Sequence, residues 1–125
     1  MRNYSYDAVV VNVVDGDTVD LLVDQGFRSY FGDRFRLVDI DTPERGQPNW
    51  DEATTALMTK LPVNIKVRIT TYHPRVRDPR DKFGRWLAHI FLEDGTDVNK
   101  WMVDNGYAKL WEKPRRVALD PELSF

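Results

Sequence analysis

Between Tyr6 and Ile40 the chain is a succession of short apolar or alternating runs divided by turn residues, which leaves it few ways to fold. Tyr6 to Val14 is rich in valine, Asp15-Gly16 interrupts it, and VDLLVD resumes the pattern at once. That is the signature of a β-hairpin. FRSYFGDRFRLVDI continues the alternation. Gly32-Asp33 is expected to turn there, giving three antiparallel strands in a meander.

The period then changes. In NWDEATTALMTKLP, Ala53, Ala56, Leu57 and Leu61 fall at helical spacing. Asn49 with Glu52 three residues later resembles a capping box, and Pro62 ends the run. Alternation returns in VNIKVRITTY, which places Val63, Ile65, Val67 and Ile69 on one face and Lys66 and Arg68 on the other. A polar loop leads through Asp81 to a fifth strand, GRWLAHIFLEDG, closed by an Asp94-Gly95 turn. A second helix is expected over DVNKWMVDNGYAKL, with Val98, Trp101 and Met102 facing inward, Asp97 as cap and Gly106 as stop. Five short strands with a helix between the third and fourth predict a mainly β, α+β domain, a Greek-key barrel of the OB type. The expected domain is residues 1–111. Residues 112–125, with Pro114 and Pro121, form a tail without a clear third helix.

Composition narrows the chemistry. A chain of 125 residues, 42% hydrophobic and 12% aromatic, is enough for one compact core. It has no cysteine, so no disulfide framework, zinc ribbon or thiol nucleophile carries the fold or the chemistry. Any metal must take oxygen ligands, or His73 and His89. No run approaches the roughly 20 apolar residues that span a bilayer, and the N-terminus lacks a cleavage signal. The chain as written is therefore expected to be cytoplasmic, monomeric and without membrane contact; secretion is the alternative if a leader has been removed. The net charge of -2 hides a segregated distribution. Asp15, Asp17, Asp20 and Asp24 form an acidic stretch, whereas Arg75, Arg77, Arg80, Lys82 and Arg85 face only Asp78 and Asp81 in the following loop, a basic face in prospect.

Asp17 follows a tight turn, and Asp41 stands where FRLVDI must leave the sheet because Pro43 cannot continue a central ladder. With Glu44 nearby, these carboxylates suit one hard cation. Ordinary chemistry also explains them: Asp-Gly-Asp is common in hairpins, and Thr-Pro-Glu commonly starts a helix. A calcium loop of the EF-hand type is excluded, since no glycine occupies its sixth position after Asp15. Arg36 and Arg85 add a second element. A guanidinium on a barrel strand is costly to bury without an anion. A salt bridge to the same aspartates would meet that need. Two arginines with three carboxylates are also what phosphodiester hydrolysis requires: forked donors and a metal for the charge on phosphorus, and a carboxylate to activate water. Strict alternation puts Arg36 and Asp41 on opposite faces, so a shared site needs a bulge or a strand exit between them.

The segments VVDGDTVDL, FRLVDIDTPE and DKFGRWLA resemble, in order and spacing, the three signature segments of the staphylococcal nuclease (thermonuclease) family, and VNKWMVDNGYAKL resembles its second helix. The similarity covers roughly residues 8 to 111. It implies an OB-type barrel and a nuclease that binds one calcium ion through Asp17, Asp41 and the carbonyl of Thr42. Glu44 would position or deprotonate the attacking water, and Arg36 and Arg85 would grip the phosphate. The products implied are 5′-hydroxyl and 3′-phosphate ends from DNA and RNA. Lys82 matches a phosphate-contacting lysine, but Phe83 lacks the hydroxyl of the family's tyrosine. Phe83, Tyr107 and Trp111 are candidate base-stacking residues, with core or rim packing as the alternative. The loop from Glu44 to Glu52 is shorter than in the staphylococcal enzyme, and His73 and His89 match nothing catalytic. A competing expectation is a non-catalytic nucleic-acid-binding module on the same fold, distinguished by loss of the set Asp17, Arg36, Asp41, Glu44 and Arg85; a structural OB protein is a weaker third.

Overall fold

The computed structural model describes residues 3–75 and 77–111. In chain order its elements are β1 (Asn3–Asp15), β2 (Thr18–Asp24), β3 (Tyr30–Leu37), β4 (Ile40–Asp41), α1 (Trp50–Lys60), β5 (Lys66–Tyr72), β6 (Trp86–Phe91), α2 (Val98–Asp104) and β7 (Lys109–Leu110). Strands β1-β2-β3-β6-β5 close into a barrel, and β4 and β7 form a separate two-stranded ribbon. Closure is possible because β1 is long enough to serve two partners: residues Asn3 to Val9 pair with β5, and Asp7 to Asp15 pair with β2. Register shifts at Val10/Asn12 and Val13/Asp15 let it curve between them, as bulges do in small barrels. The β3–β6 pairing is parallel and short, confined to Phe35–Leu37 against Trp86–Ala88.

The interior is aliphatic. Val10, Val19, Leu21, Leu37, Ile69 and Ile90 are fully buried, and α1 adds Ala53, Ala56, Leu57 and the following Leu61 to the same core. The expected helical stripe is therefore the packed face. Asp97 caps α2 by accepting from the Lys100 amide at 3.1 Å. Gly106, at φ +80°, ends it in the left-handed conformation that glycine adopts without strain.

Three local expectations are corrected. Gly32 and Asp33 do not turn: they lie inside β3, opposite Leu22 and Leu21. The reversal comes at Gln25–Ser29, where the Gln25 and Ser29 amides donate to the carbonyls of Ser29 and Gly26 at 2.8 Å. A continuous seven-pair ladder from Thr18/Arg36 to Asp24/Tyr30 outweighs the turn propensity of one Gly-Asp dipeptide. Asn49 stands at the start of α1 but in the left-handed region, φ 71°, with no side-chain capping bond, so the capping box does not form. Asparagine tolerates that conformation, and Asp51 and Glu52 still place negative charge in the first turn. Val63 is exposed, not inward. Asn64 takes φ 75° and its amide donates to the Val10 carbonyl at 2.8 Å, while the Val10 amide donates to the Ile65 carbonyl at 3.0 Å, so β5 begins only at Lys66. Residues 112–125, expected to be a tail, lie outside the described residues.

Candidate active site

The turn after β1, the start of β2, the end of β3 and the residue after β4 meet at one shoulder of the barrel, and each delivers a polar side chain that is almost completely buried. Asp17, Thr18, Arg36 and Thr42 expose 7%, 2%, 8% and 6% of their surface. Buried charge is tolerable only when paired and hydrogen-bonded, and the partners are visible. Arg36 Nη2 donates to the Ile40 carbonyl at 2.9 Å and to Asp17 Oδ2 at 3.3 Å, and lies 3.5 Å from Asp41 Oδ1. Asp17 Oδ2 also accepts from the Thr42 amide at 3.4 Å, and Asp17 Oδ1 accepts from the Thr18 hydroxyl at 3.0 Å.

Strict alternation had set Arg36 and Asp41 on opposite faces. The structure removes the conflict because β3 ends at Leu37 and the chain reverses through Val38 and Asp39, the latter at φ 67°. Asp41, in β4, is turned back over Arg36. Asn99 of α2 holds that reversal in place: its amide donates to the carbonyls of Val38 and Ala88 at 3.1 Å each, and its oxygen accepts from the Ile90 amide at 3.1 Å. Nothing in the sequence distinguishes Asn99 from an ordinary helix-surface asparagine.

Arg85 reaches the same shoulder from the loop before β6. Its Nε bonds Asp81 Oδ2 at 2.6 Å and its Nη1 donates to the Thr18 hydroxyl at 3.1 Å. Thr18 therefore couples Arg85 to Asp17, and through Asp17 to Arg36. Sequence reasoning missed Thr18, although its position opposite Arg36 in the β2–β3 ladder is what a correct strand register would have shown. Asp81 also accepts from the Phe83 and Arg85 amides at 2.9 Å. Partial burial works to raise its pKa, but the Arg85 and Phe83 amides and the Arg85 guanidinium together outweigh it and hold Asp81 below the usual aspartate value.

Gly16 is required at this shoulder by proximity. A Cβ there would come within 2.9 Å of Ala53 Cβ and 3.0 Å of Thr42 Oγ1. The turn could then no longer rest against α1 and the segment bearing Thr42. Asp15, beside it, bonds the Asp17 amide at 3.2 Å. Burial, and then the adjacent Asp17 carboxylate, raise its pKa above the ordinary aspartate value.

The remaining candidates are distributed around this centre. Trp111 lies against Arg36, with the guanidinium 5.5 Å from its ring centroid, and its amide donates to the Asp39 carbonyl at 2.9 Å. Phe83, exposed, has Lys82 Nζ at 5.3 Å and the Arg85 guanidinium at 5.5 Å from its ring centroid. Tyr107 stacks on Trp101 with centroids 5.7 Å apart and, with Lys109, Glu52 and Gln47, lines a cleft of about 590 Å³ that opens onto Asp41 and Thr42. Glu44 is exposed in a turn closed by reciprocal bonds with Gln47, its amide to Gln47 Oε1 at 2.7 Å and the Gln47 amide to its carbonyl at 2.8 Å. Among the described residues, no hydrogen bond or ion pair joins its carboxylate to the buried cluster. The Thr-Pro-Glu segment starts no helix, since α1 begins at Trp50. His89 lies in β6 beside the Tyr72 hydroxyl and His73 accepts from the Arg75 amide, both away from Asp17.

For a cation, the donor set is oxygen. Asp17 Oδ2 and Asp41 Oδ1 converge on a single Arg36 nitrogen, so both oxygens can serve one positive centre. One carboxylate is buried and the other, Asp41, is 61% exposed, which leaves water access. Among the described residues no three His, Cys, Asp or Glu side chains form a metal cluster by themselves. The arrangement fits a hard cation that takes part of its shell from backbone and solvent.

Residues 34–124 match the model of the staphylococcal nuclease homologue family. An uncharacterized endonuclease of Escherichia coli O157:H7 is 35% identical over 104 residues, covering 83% of this chain and 60% of that protein. The thermonuclease of Staphylococcus intermedius is 35% identical over 99 residues, 75% of this chain and 52% of the enzyme. Endonuclease YhcR of Bacillus subtilis (strain 168) is 30% identical over 115 residues, 82% of this chain but 9% of that protein. The chain thus spans less than two thirds of the length of each of these relatives.

Proposed function

We propose, from the premise that the chain belongs to the staphylococcal nuclease homologue family, that it is a calcium-dependent nuclease hydrolysing phosphodiester bonds of DNA and RNA to 5′-hydroxyl and 3′-phosphate ends. The observation that carries this reading is the Arg85–Thr18–Asp17–Arg36 chain of contacts. Two guanidinia are anchored through one buried carboxylate beside a half-open acidic edge.

A phosphate seated there meets donors whose positions are already set, so little reorganisation accompanies the charge that develops on its oxygens. Arg36 is held by three acceptors and Arg85 by two. The forked geometry of each suits the non-bridging oxygens of a phosphodiester. Glu44, exposed at the rim, is the base for the attacking water. Its carboxylate takes a proton as water adds to phosphorus, the bond to the 5′-oxygen breaks, and that oxygen leaves as an alkoxide that takes its proton from solvent water while the phosphate stays on the 3′ side. Asp17, Asp41 and the Thr42 carbonyl would hold the calcium ion, which when bound would supply positive charge against the substrate phosphate. Lys82 and Phe83 flank Arg85 and suit contacts to a second phosphate and to a base. Tyr107 and Trp111 suit contacts on the side of Asp41.

The test is the rate of single-stranded DNA cleavage with calcium, with chelator, and for Glu44→Gln beside wild type, with the ends mapped. Calcium-dependent cutting to 3′-phosphates that collapses in Glu44→Gln is expected. Absence of cutting with retained, salt-sensitive DNA binding would instead identify a non-catalytic nucleic-acid module.

A further inference from the structure

The barrel has a second functional-looking end. The strand termini opposite the acidic shoulder, namely the start of β1, the end of β2, the start of β3 and the end of β5, surround an open cavity of about 320 Å³. Its walls are aromatic: Tyr4, Tyr6, Phe31, Tyr72 and Trp86. It exists because the β3–β6 seam is hydrogen-bonded only from Phe35 to Leu37, so the sheet parts between Trp86 and the first half of β3. The core residues Val23, Phe35 and Ile69, all buried, line its floor.

Rings placed only to close a barrel would bury their faces. Here Tyr4 is 43% exposed, and Tyr6, Phe31 and Trp86 are only partly buried against the core. The rim is cationic. Pro74 and Pro79 line the cavity, and each is followed by an arginine, Arg75 and Arg80. The Arg80 guanidinium sits 4.3 Å from the Trp86 ring centroid. Its hydrogen bond goes to the Gly84 carbonyl at 3.0 Å. Neither Arg75 nor Arg80 has a carboxylate within ion-pair distance among the described residues. Arg77, by contrast, is matched by Asp39 at 3.0 Å, and Asp33 is engaged by the Trp86 indole N–H at 3.0 Å.

Aromatic faces beside unmatched guanidinia are complementary to a base and its phosphate. Two lining residues tie the cavity to the shoulder along the chain: Phe35 and Trp86 are the immediate neighbours of Arg36 and Arg85, and Arg80 is bonded to the residue before Arg85. A strand held by its phosphate at those two arginines and lying across the β3–β6 seam would reach the cavity.

We propose that this aromatic mouth is a second polynucleotide subsite, receiving an unstacked base of the single strand whose scissile phosphate lies at Arg36 and Arg85. The inference rests on the nuclease reading above. It makes the enzyme prefer single strands longer than the catalytic shoulder can cover, because a base paired in a duplex cannot enter.

Two variants of the full chain test it: Tyr4→Ala, which removes an exposed ring, and Gln25→Glu, which adds a negative charge at an exposed turn residue lining the mouth. Each is assayed on an oligothymidylate dodecamer and on a nitrophenyl ester of thymidine phosphate too short to leave the shoulder, with the melting temperature recorded. The expected result is a KM for the dodecamer raised about tenfold in Tyr4→Ala, in line with the loss of one base–aromatic stack, and raised in Gln25→Glu by repulsion of the strand's phosphates, with kcat unchanged and no effect on the short ester. Equal KM values for wild type and both variants on the dodecamer would overturn the subsite while leaving the nuclease reading intact. A parallel change on both substrates would also overturn it, by locating the effect at the shoulder. If wild type cuts neither substrate, the nuclease reading falls and the subsite with it. Gln25→Glu decides the matter should Tyr4→Ala fail to fold.

Discussion

The same strands end in two different chemistries. At the shoulder, Asp17, Thr18 and Arg36 are more than nine-tenths buried and joined in a continuous chain of directional contacts. At the mouth, Tyr4 is exposed and Phe31 and Trp86 are partly buried, the latter two meeting edge-on with ring centroids 6.0 Å apart. Buried charge has to be satisfied by specific partners, so the shoulder acts as a unit and a change in one member reaches the others. Ring packing is short-ranged and largely non-directional, so the mouth should respond to each change separately.

The largest expected break is Arg36→Ala, which removes the group shared by Asp17, Asp41 and the Ile40 carbonyl. Loss of a preorganised transition-state donor costs on the order of 100- to 1000-fold in rate. A fall in kcat below tenfold would put Arg36 outside the chemistry. Thr18→Val keeps the shape and deletes the hydroxyl that receives Arg85 and donates to Asp17; a loss of about tenfold is expected, since a hydrogen bond to a charged group is worth ~1.5–3 kcal/mol. Combined with Arg36→Ala its effect should be far from additive. Strict additivity in the double-mutant cycle would mean that the chain of contacts transmits nothing.

Asn99→Ala tests the support beneath the shoulder. Three buried hydrogen bonds to backbone groups are lost, although the Ala88 carbonyl keeps the Val38 amide, and urea unfolding should show a loss of about 1–3 kcal/mol. A smaller effect arises from Asp81. Its folded pKa lies below that of the unfolded chain, so its contribution is present above about 3.9, the ordinary aspartate value, and is lost as pH falls through the lower folded value. Wild-type melting temperature should therefore drop more steeply than that of Asp81→Asn once the pH falls below about 4; parallel curves would show that the Arg85 anchor adds no pH-dependent stability. The smallest effect belongs to the mouth: Tyr4→Ala should change stability by about 0.5 kcal/mol or less, as at most surface positions. A larger loss would make Tyr4 part of the core and sharpen the boundary between the two ends.

Features carried by local periodicity were legible. The stripe Ala53, Ala56, Leu57 and Leu61 is the buried face of α1, and Asp97 caps α2. Both are written in the spacing of a few neighbouring residues, so the local pattern is enough to show them. The succession of the five barrel strands along the chain was legible too, because each apolar run is closed by a turn or a proline, but the parallel β3–β6 pairing and the β4–β7 ribbon were not. Misreadings occurred where a local preference met a distant partner. Gly32-Asp33 has turn chemistry but is held straight by its ladder with Leu22 and Leu21, and Asn49 has cap chemistry but adopts a backbone that turns its side chain away.

The sequence by itself determined which chemical groups were available: oxygen ligands without cysteine, two arginines and three carboxylates at the ends of apolar runs, and the residue types of one small barrel. Tertiary structure alone decided how they meet. The reversal at Val38-Asp39, pinned by Asn99, brings Asp41 over Arg36. Thr18 joins Arg85 to Asp17 across residues far apart in the chain, and the lack of a Cβ at Gly16 lets the turn rest on Thr42 and Ala53. Each of these depends on a distance between segments that closes only when the barrel does. Side-chain spacing along a single strand carries no trace of it.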